Sequence, residues 1–188
     1  MRINKLNQSD VTYFRANMRF IPVTNRKEAK EVAKILADSK EENFNGSFLY
    51  FYKLIKPFEV ATDTFMFSES VNRGLPHHIT IVKNGDSVLG AYSIEYDTSA
   101  PQKGASIDFI VDSSSIRHTK AAKRFFANAA ENIYKTLAKH QIRTVNCEKC
   151  NPDISSLFKS ASNKQINTLD IEELKKNIDD YKRKELLL

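Results

Sequence analysis

The pattern of apolar and polar residues is most regular between residues 104 and 147. Residues 104–112 alternate between the two classes, which predicts a strand. Residues 116–139 predict a long helix, because apolar residues recur there at helical spacing: Ala122, Phe125, Ala129, Ile133 and Leu137. Ser113 to Ser115 are residues that cap helix starts, and residues 142–147 predict a second strand. Strand, crossover helix and strand form a βαβ unit, which sets the start of a helix beside the end of a strand.

The chain before this unit contains a strand, two helices and a hairpin. Residues 1–17 are a polar lead-in, and residues 18–24 predict a short strand in which Pro22 favours an edge or a strand end. Asn25 and Glu28 resemble a capping box for a helix that runs to about Asp38. The face of this helix is apolar through Ala29, Val32, Ala33 and Leu36.

Aromatic residues are frequent over 44–67, and the helical spacing of the apolar residues from Phe44 to Ile55 favours a second helix that covers the core. A loop is expected over 62–76. Residues 78–96 predict a hairpin with its turn at residues 84–86, because the Asn-Gly pair in it tolerates positive φ. A turn that contains Pro101 then leads to the strand at 104–112.

The C-terminal part predicts three short elements. Asn151 and Pro152 open a short helix that reaches Phe158, residues 165–168 predict a short strand, and Asp170 begins a final helix. That helix is amphipathic, with its apolar positions at Ile171, Leu174, Ile178, Tyr181 and Leu188. We expect it to pack on its own domain, and the alternative is a protein partner or self-association through residues 171–188.

Composition is typical of a soluble globular domain. The chain has 188 residues, 41% hydrophobic and 28% charged, which suits a single domain. It has no apolar run of about 20 residues and no signal-like N-terminus, so we expect a cytoplasmic protein without membrane contact. Cys147 and Cys150 are the only cysteines. We expect two reduced thiols, with a zinc site completed by histidine or a redox pair as weaker alternatives.

The net charge of +6 is concentrated in one segment. Residues 116–143 contain seven basic residues and one acid, Glu131; the basic residues are Arg117, Lys120, Lys123, Arg124, Lys135, Lys139 and Arg143. Four of them lie at the predicted start of the long helix, where the helix dipole favours acids. This indicates an acidic ligand at the helix start, a nucleic-acid or acidic protein surface, or simply a solvated helix face.

The order of these elements resembles the GNAT family of acyl-CoA-dependent N-acyltransferases. The likeness covers about residues 18–161: an opening strand and helix over 18–36, a hairpin with the phrase Val88 to Tyr92, and Asn151 followed by Ile154, Leu157 and Phe158. It implies an α/β fold with a GNAT-like mixed central sheet flanked by helices, and an added C-terminal amphipathic helix. The implied organisation is a lead-in at 1–17, a domain at 18–168 and the helix at 169–188.

The resemblance implies acetyl-CoA or another acyl-CoA as cofactor. In the family, a glycine-containing loop after the fourth strand holds the coenzyme A pyrophosphate through backbone amides. The matching residues here are Arg117, His118, Thr119, Lys120, Ala121 and Ala122, with Val111 and Asn151 as further cofactor contacts. Lys120 stands where the family has its central glycine, so its side chain either blocks the phosphate or contacts it by charge.

The resemblance also raises the question of proton transfer. Phe158 stands where many family members have a Tyr that protonates the leaving thiolate, and phenylalanine has no proton to donate. Asp108 is the nearest equivalent of the family's general base, and a carboxylate among apolar neighbours suits that role. The alternative for Asp108 is a strand residue that faces solvent.

Three functions remain open from the sequence. The first is an acyl-CoA-dependent N-acyltransferase in which an unknown amine attacks the thioester directly. The second is a catalytically inactive GNAT-fold structural or interaction protein, such as a phage virion or assembly protein, which would place it in the virion. The third is a basic nucleic-acid-binding protein.

Overall fold

The computed structural model describes residues 18–39, 77–147, 154–159 and 168–186. Within these residues, six strands form one mixed sheet in the order β1 to β6, and three α-helices flank it. Neighbouring strands are antiparallel except β4 and β5, which are parallel and joined by α2. The strands are β1 Met18–Pro22, β2 His77–Asn84, β3 Ser87–Tyr96, β4 Ala105–Asp112, β5 Thr144–Asn146 and β6 Thr168–Asp170; the helices are α1 Arg26–Ala37, α2 Lys120–Lys139 and α3 Ile171–Glu185. The expected βαβ unit and mixed α/β sheet are confirmed.

The first strand and helix follow the local signals closely. Pro22 ends β1, an edge strand of the sheet, where the missing N–H leaves no ladder bond unmade. The Asn25 side chain accepts a hydrogen bond from the Glu28 N–H at 3.0 Å, and the Glu28 carboxylate accepts one from the Thr24 N–H at 2.9 Å. These bonds satisfy amides at the helix start and set where α1 begins.

The predicted hairpin is present, and its turn lies within the predicted residues 84–86. Asn84 pairs with Ser87, so Gly85 and Asp86 are the two turn residues. Gly85 has φ of 58°, whereas Asp86 is not among the positive-φ residues. A positive φ at the first turn position alone is the type II′ pattern, which glycine adopts without strain.

The core lies on both faces of the sheet. α1 packs on one face against Ile79, Ile81, Ala91, Phe109 and Val111. α2 and α3 pack on the other face, and the residues predicted to face the core from α2 are all buried: Ala122, Phe125, Ala129, Ile133 and Leu137. The apolar stripe of α3 is buried as well, at Ile171, Leu174, Ile178 and Tyr181. The expectation that the C-terminal helix packs on its own domain is therefore confirmed for these residues.

The long helix begins four residues later than predicted. Ser113 to Ser115 do not cap it, and residues 113–119 instead form turns, in which the Ser113 N–H donates to the Leu89 carbonyl at 2.8 Å. His118 has φ of 62°, a left-handed conformation that ends any helix continuing through it. Thr119 takes over as the N-cap of α2. With the chain following these turns, the side chain of Ile116 is buried.

Several expectations fall partly or wholly outside the described residues. These are the lead-in at 1–17, the helix predicted at 44–55, the loop at 62–76, Asn151 and most of the strand predicted at 165–168. Strand β5 is shorter than predicted and contains only Thr144–Asn146. Residues 154–158 form a tight turn with i to i+3 hydrogen bonds from Leu157 and Phe158.

The cysteine expectation differs from the structure. Cys147 forms a disulfide, whereas the sequence predicted reduced thiols; Cys150 lies outside the described residues. Within the ranges that the structure describes, no cluster of three or more His, Cys, Asp and Glu residues has the arrangement of a metal site. None of the described helices combines the length and apolar character needed to cross a bilayer.

Candidate functional site

The sheet opens between β4 and β5. The two strands pair only at Ala105 with Val145 and Ser106 with Asn146. From Ile107 to Asp112, the structure as described pairs β4 with β3 alone. The start of α2 follows the open end of β4 after the turns of residues 113–119.

A cavity of about 450 Å³ lies at the start of α2. It is lined by residues from α2 and the preceding turn, from the 154–159 segment and from α3: His118, Thr119, Ala122, Lys123, Phe126, Ser156, Tyr181 and Glu185. The N-terminus of a helix carries partial positive charge, because its first N–H groups lack intrahelical acceptors. The cavity therefore has the location and part of the composition of an anion site.

Thr119 satisfies two of the amides at the helix start. Its side-chain oxygen accepts hydrogen bonds from the N–H groups of Ala121 at 3.1 Å and Ala122 at 3.4 Å, and its hydroxyl donates to the Ile116 carbonyl at 2.5 Å. In the part of the chain that the structure describes, the N–H groups of His118 and Lys120 have no acceptor. Those two amides remain available to a ligand.

Arg117 lies close to the end of β4 and to the residue that follows α1. Its Nε is 3.7 Å from the Asp112 carboxylate, and its two terminal nitrogens donate to the Asp38 carbonyl at 3.3 Å. Asp112 is buried, and a buried carboxylate needs a partner of opposite charge. Arg117 thus joins the ends of β4 and α1, and it is absent from the cavity lining.

Lys123 and Glu185 form an ion pair across the cavity between α2 and α3. Both side chains are partly exposed, at 48% and 39%, so the pair is accessible to solvent ions. Arg117, Lys123 and Lys135 each contact a carboxylate. Part of the positive charge of residues 116–143 is therefore compensated within the protein.

Asp108 occupies a bulge in β4. Ser93 pairs with Phe109 and Ile94 pairs with Ile107, which leaves Asp108 as the extra residue; bulges of this kind are frequent beside functional sites. Asp108 is 4% exposed and accepts a hydrogen bond from the Ser93 hydroxyl at 2.6 Å. The alternative of a solvent-facing Asp108 is wrong, since the bulge turns the carboxylate into the protein.

Tyr92 fixes α2 to the sheet behind the site. Its hydroxyl donates to the Asn132 side-chain oxygen at 2.5 Å. Burial raises the pKa of Tyr92 to about 12, so the hydroxyl remains a donor throughout the physiological range. The bond holds the middle of α2 against β3.

The structure brings together only some of the residues predicted for the site. His118, Thr119 and Ala122 line the cavity, and Lys120 and Ala121 lie in the first turn of α2 beside it. Val111 is buried on the α1 side, Arg117 and Asp108 lie away from the lining, and Asn151 is outside the described residues. Four residues of the lining were not predicted from the sequence: Phe126, Ser156, Tyr181 and Glu185. Their signals in the sequence were limited to amphipathic spacing and charge.

Solved structures share this arrangement of strands and helices. The structure of spermidine N-acetyltransferase from Vibrio cholerae in complex with CoA and spermine matches with a TM-score of 0.50 and 9% identity, covering 70% of each chain. A GNAT-family acetyltransferase from Desulfovibrio desulfuricans matches at 0.46 and 11%, covering 69% of this chain and 71% of the other. A possible acetyltransferase from Clostridium difficile 630 matches at 0.48 and 12%, covering 78% and 82%.

The chain has a GNAT fold. No protein-family model and no curated protein matches its sequence. At these identities the likeness is one of fold, and a fold by itself does not determine an activity. The GNAT fold of this chain carries its additional helix α3 across α2, where the end of α3 forms one wall of the cavity.

The residues at the cavity suit the phosphates of coenzyme A. Lys123 offers an ammonium, His118 an imidazole, and the helix start two unpaired N–H groups, which are the donors that phosphate prefers. Lys120 is exposed, so its side chain does not fill the cavity. Among the described residues of the lining, Glu185 is the acid that opposes an anion.

Proposed function

We propose that this protein is an acyl-CoA-dependent N-acyltransferase. The observation that carries the proposal is the cavity at the start of α2, with Lys123, His118 and Thr119 in its lining, beside the open edge of β4 in a GNAT fold. The Vibrio cholerae enzyme with this fold binds CoA. The acceptor of this chain is an amine whose structure is not assigned.

Different residues of the chain would bind the cofactor's phosphates and polarise its acyl carbonyl. Lys123, His118 and the N–H groups of His118 and Lys120 would hold the cofactor's phosphates. When bound, an acyl-CoA supplies a thioester-activated acyl group for transfer to the amine. Backbone amides near Val111, at the open part of β4, would polarise the acyl carbonyl.

Proton balance requires one acceptor and one donor. As the C–N bond forms, Asp108 would accept the proton that the attacking amine loses, directly or through water, and would release it to solvent; the thiolate left when the C–S bond breaks would take up a proton from solvent. Ser93 holds the Asp108 carboxylate in one orientation. Phe158 has no hydroxyl, so in our proposal the thiolate is protonated by water.

The second candidate function is a catalytically inactive GNAT-fold protein that binds a partner. Phe158 at the position of the usual Tyr favours it, because Phe158 is buried in the core with α2 and α3. Arg117 favours it as well, since Asp112 and the Asp38 carbonyl already engage its guanidinium. This candidate predicts no release of CoA from acetyl-CoA with any amine.

The test is a calorimetric titration with acetyl-CoA at low ionic strength, followed by an assay for free CoA over a panel of amines. Lys123→Gln removes a charged phosphate contact, so we expect affinity to fall about tenfold. Lys139→Gln removes the same charge from an exposed site at the other end of α2 and should leave affinity unchanged.

Two results would overturn the proposal in different ways. Equal losses in both variants would mean that acetyl-CoA is attracted by overall charge alone and has no site at the cavity. Saturable binding without turnover of any amine would favour the inactive candidate.

A further inference from the structure

Glu185 stands where an anionic ligand would bind. It lines the cavity at the start of α2 and pairs with Lys123, the lining residue best suited to contact a phosphate. A carboxylate and a phosphate can each accept a charge-assisted hydrogen bond from the same ammonium group. In the ligand-free protein, the ammonium group of Lys123 therefore pairs with the Glu185 carboxylate.

Apolar contacts and one further ion pair dock α3 on the domain in addition to Glu185. Four buried apolar residues already fix the helix to the domain: Ile171, Leu174, Ile178 and Tyr181. Lys182 adds an ion pair with Glu131 of α2. Glu185 follows Tyr181 by four positions, so it lies at the end of the same face of α3, where it meets Lys123 of α2.

The position of Glu185 in its helix is electrostatically unfavourable. The C-terminus of a helix carries partial negative charge and favours cations, and the residues before Glu185 follow that rule: Lys182, Arg183 and Lys184. Glu185 is the single acid of this last turn, and its side chain is directed to the cavity. At this position the dipole favours a cation over an acid, so it does not stabilise the Glu185 carboxylate.

We propose that Glu185 is an internal competitor for the anion site and determines how tightly phosphate-bearing ligands bind there. The inference rests on the proposed function in taking the cavity as the site of the cofactor's phosphates. Binding of a pyrophosphate group breaks the pair of Lys123 with Glu185 and frees the last turn of α3. Affinity is thereby lower than the cavity's cations alone would give, and ligands with little negative charge do not displace Glu185.

The experiment compares Glu185→Gln with wild type by calorimetry, using CoA and, separately, inorganic pyrophosphate as probes at low ionic strength. We expect Glu185→Gln to bind both probes about fivefold more tightly, the size typical of a partly exposed ion pair. The matched control is Asp179→Asn, which removes the same charge from an exposed position of the same helix and should not change affinity. In a Lys123→Gln background, Glu185→Gln should have a smaller effect, because only the repulsion between the Glu185 carboxylate and the anion is then removed.

A second measurement is independent of the variants. On addition of pyrophosphate to the wild-type protein, hydrogen exchange should accelerate at the last turn of α3 and stay constant at Leu174. Unchanged exchange at that turn, or equal affinities of wild type and Glu185→Gln, would overturn the inference.

The two probes separate this inference from the proposed function. If Glu185→Gln binds pyrophosphate more tightly and no variant binds CoA, the competitor role stands and the cofactor proposal fails. If CoA binds equally to wild type and Glu185→Gln, the cofactor proposal stands and the competitor role fails. If neither probe binds to any variant, both fail.

Discussion

At Gly90, the absence of a side chain lets Phe125 of α2 lie directly on β3. A Cβ added there would be 2.4 Å from the Val111 carbonyl oxygen and 2.5 Å from the Phe125 ring. Real Cβ atoms do not make such contacts, so Gly90→Ala must displace α2 or the strands, and we expect it to lower the free energy of unfolding by about 1–3 kcal/mol. Thermal unfolding should show a drop of several degrees.

Gly85→Ala is the comparison for this prediction. Gly85 has positive φ but no atom within 4 Å of an added Cβ, so the substitution introduces only backbone strain of about 1 kcal/mol. A Gly90→Ala variant that unfolds at the wild-type temperature would show that Phe125 does not pack as described.

At the scale of elements, α2 and α3 are joined by Glu131, which bonds to Lys135 of its own helix and Lys182 of α3. Burial alone would raise the pKa of Glu131, but hydrogen bonds from the two lysines outweigh it and hold the pKa below the ordinary 4.5. Since the folded state lowers this pKa, its contribution to stability is complete above about pH 4.5 and is lost as pH falls through the folded value.

The prediction is that Glu131→Gln lowers stability at pH 7 by up to about 1 kcal/mol, a small figure because the pair is partly exposed. The difference from wild type should shrink on acidification below pH 4.5. Urea unfolding of both proteins at pH 7 and pH 3 measures it. A gap that is constant across this range would mean that the ion pairs do not stabilise the contact of α2 with α3.

At the scale of the whole molecule, the apolar face of α3 is used inside the domain. Leu174 is fully buried, so Leu174→Ala should lower the free energy of unfolding by about 2–5 kcal/mol. The loss should be independent of protein concentration, and Lys176→Ala, on the exposed face, should leave stability unchanged. Thermal unfolding over a hundredfold range of concentration provides the measurement. A wild-type midpoint that rises with concentration, with the rise abolished in Leu174→Ala, would instead identify α3 as an interface between copies.

Local signals in the sequence predicted most of the described elements. The cap of Asn25, the Asn84 and Gly85 hairpin and the apolar stripes of α2 and α3 each depend on residues within a few positions of one another. Such signals are physical, because capping bonds and side-chain periodicity are satisfied locally. They misplaced the start of α2, where three serines resemble a cap but burial of Ile116 and the left-handed His118 take precedence.

The sequence by itself determined the kinds and order of the described elements, the concentration of charge at the start of α2, and hence the region in which an anion site was expected. Only the tertiary structure decided which groups meet there. Lys123 and Glu185 are 62 positions apart, Arg117 is held by Asp112 and the end of α1, and Asp108 is turned inward by a bulge. Contacts of this kind depend on the path of the whole chain and on the competition of each charged group among several partners, and no local pattern of residues encodes that competition.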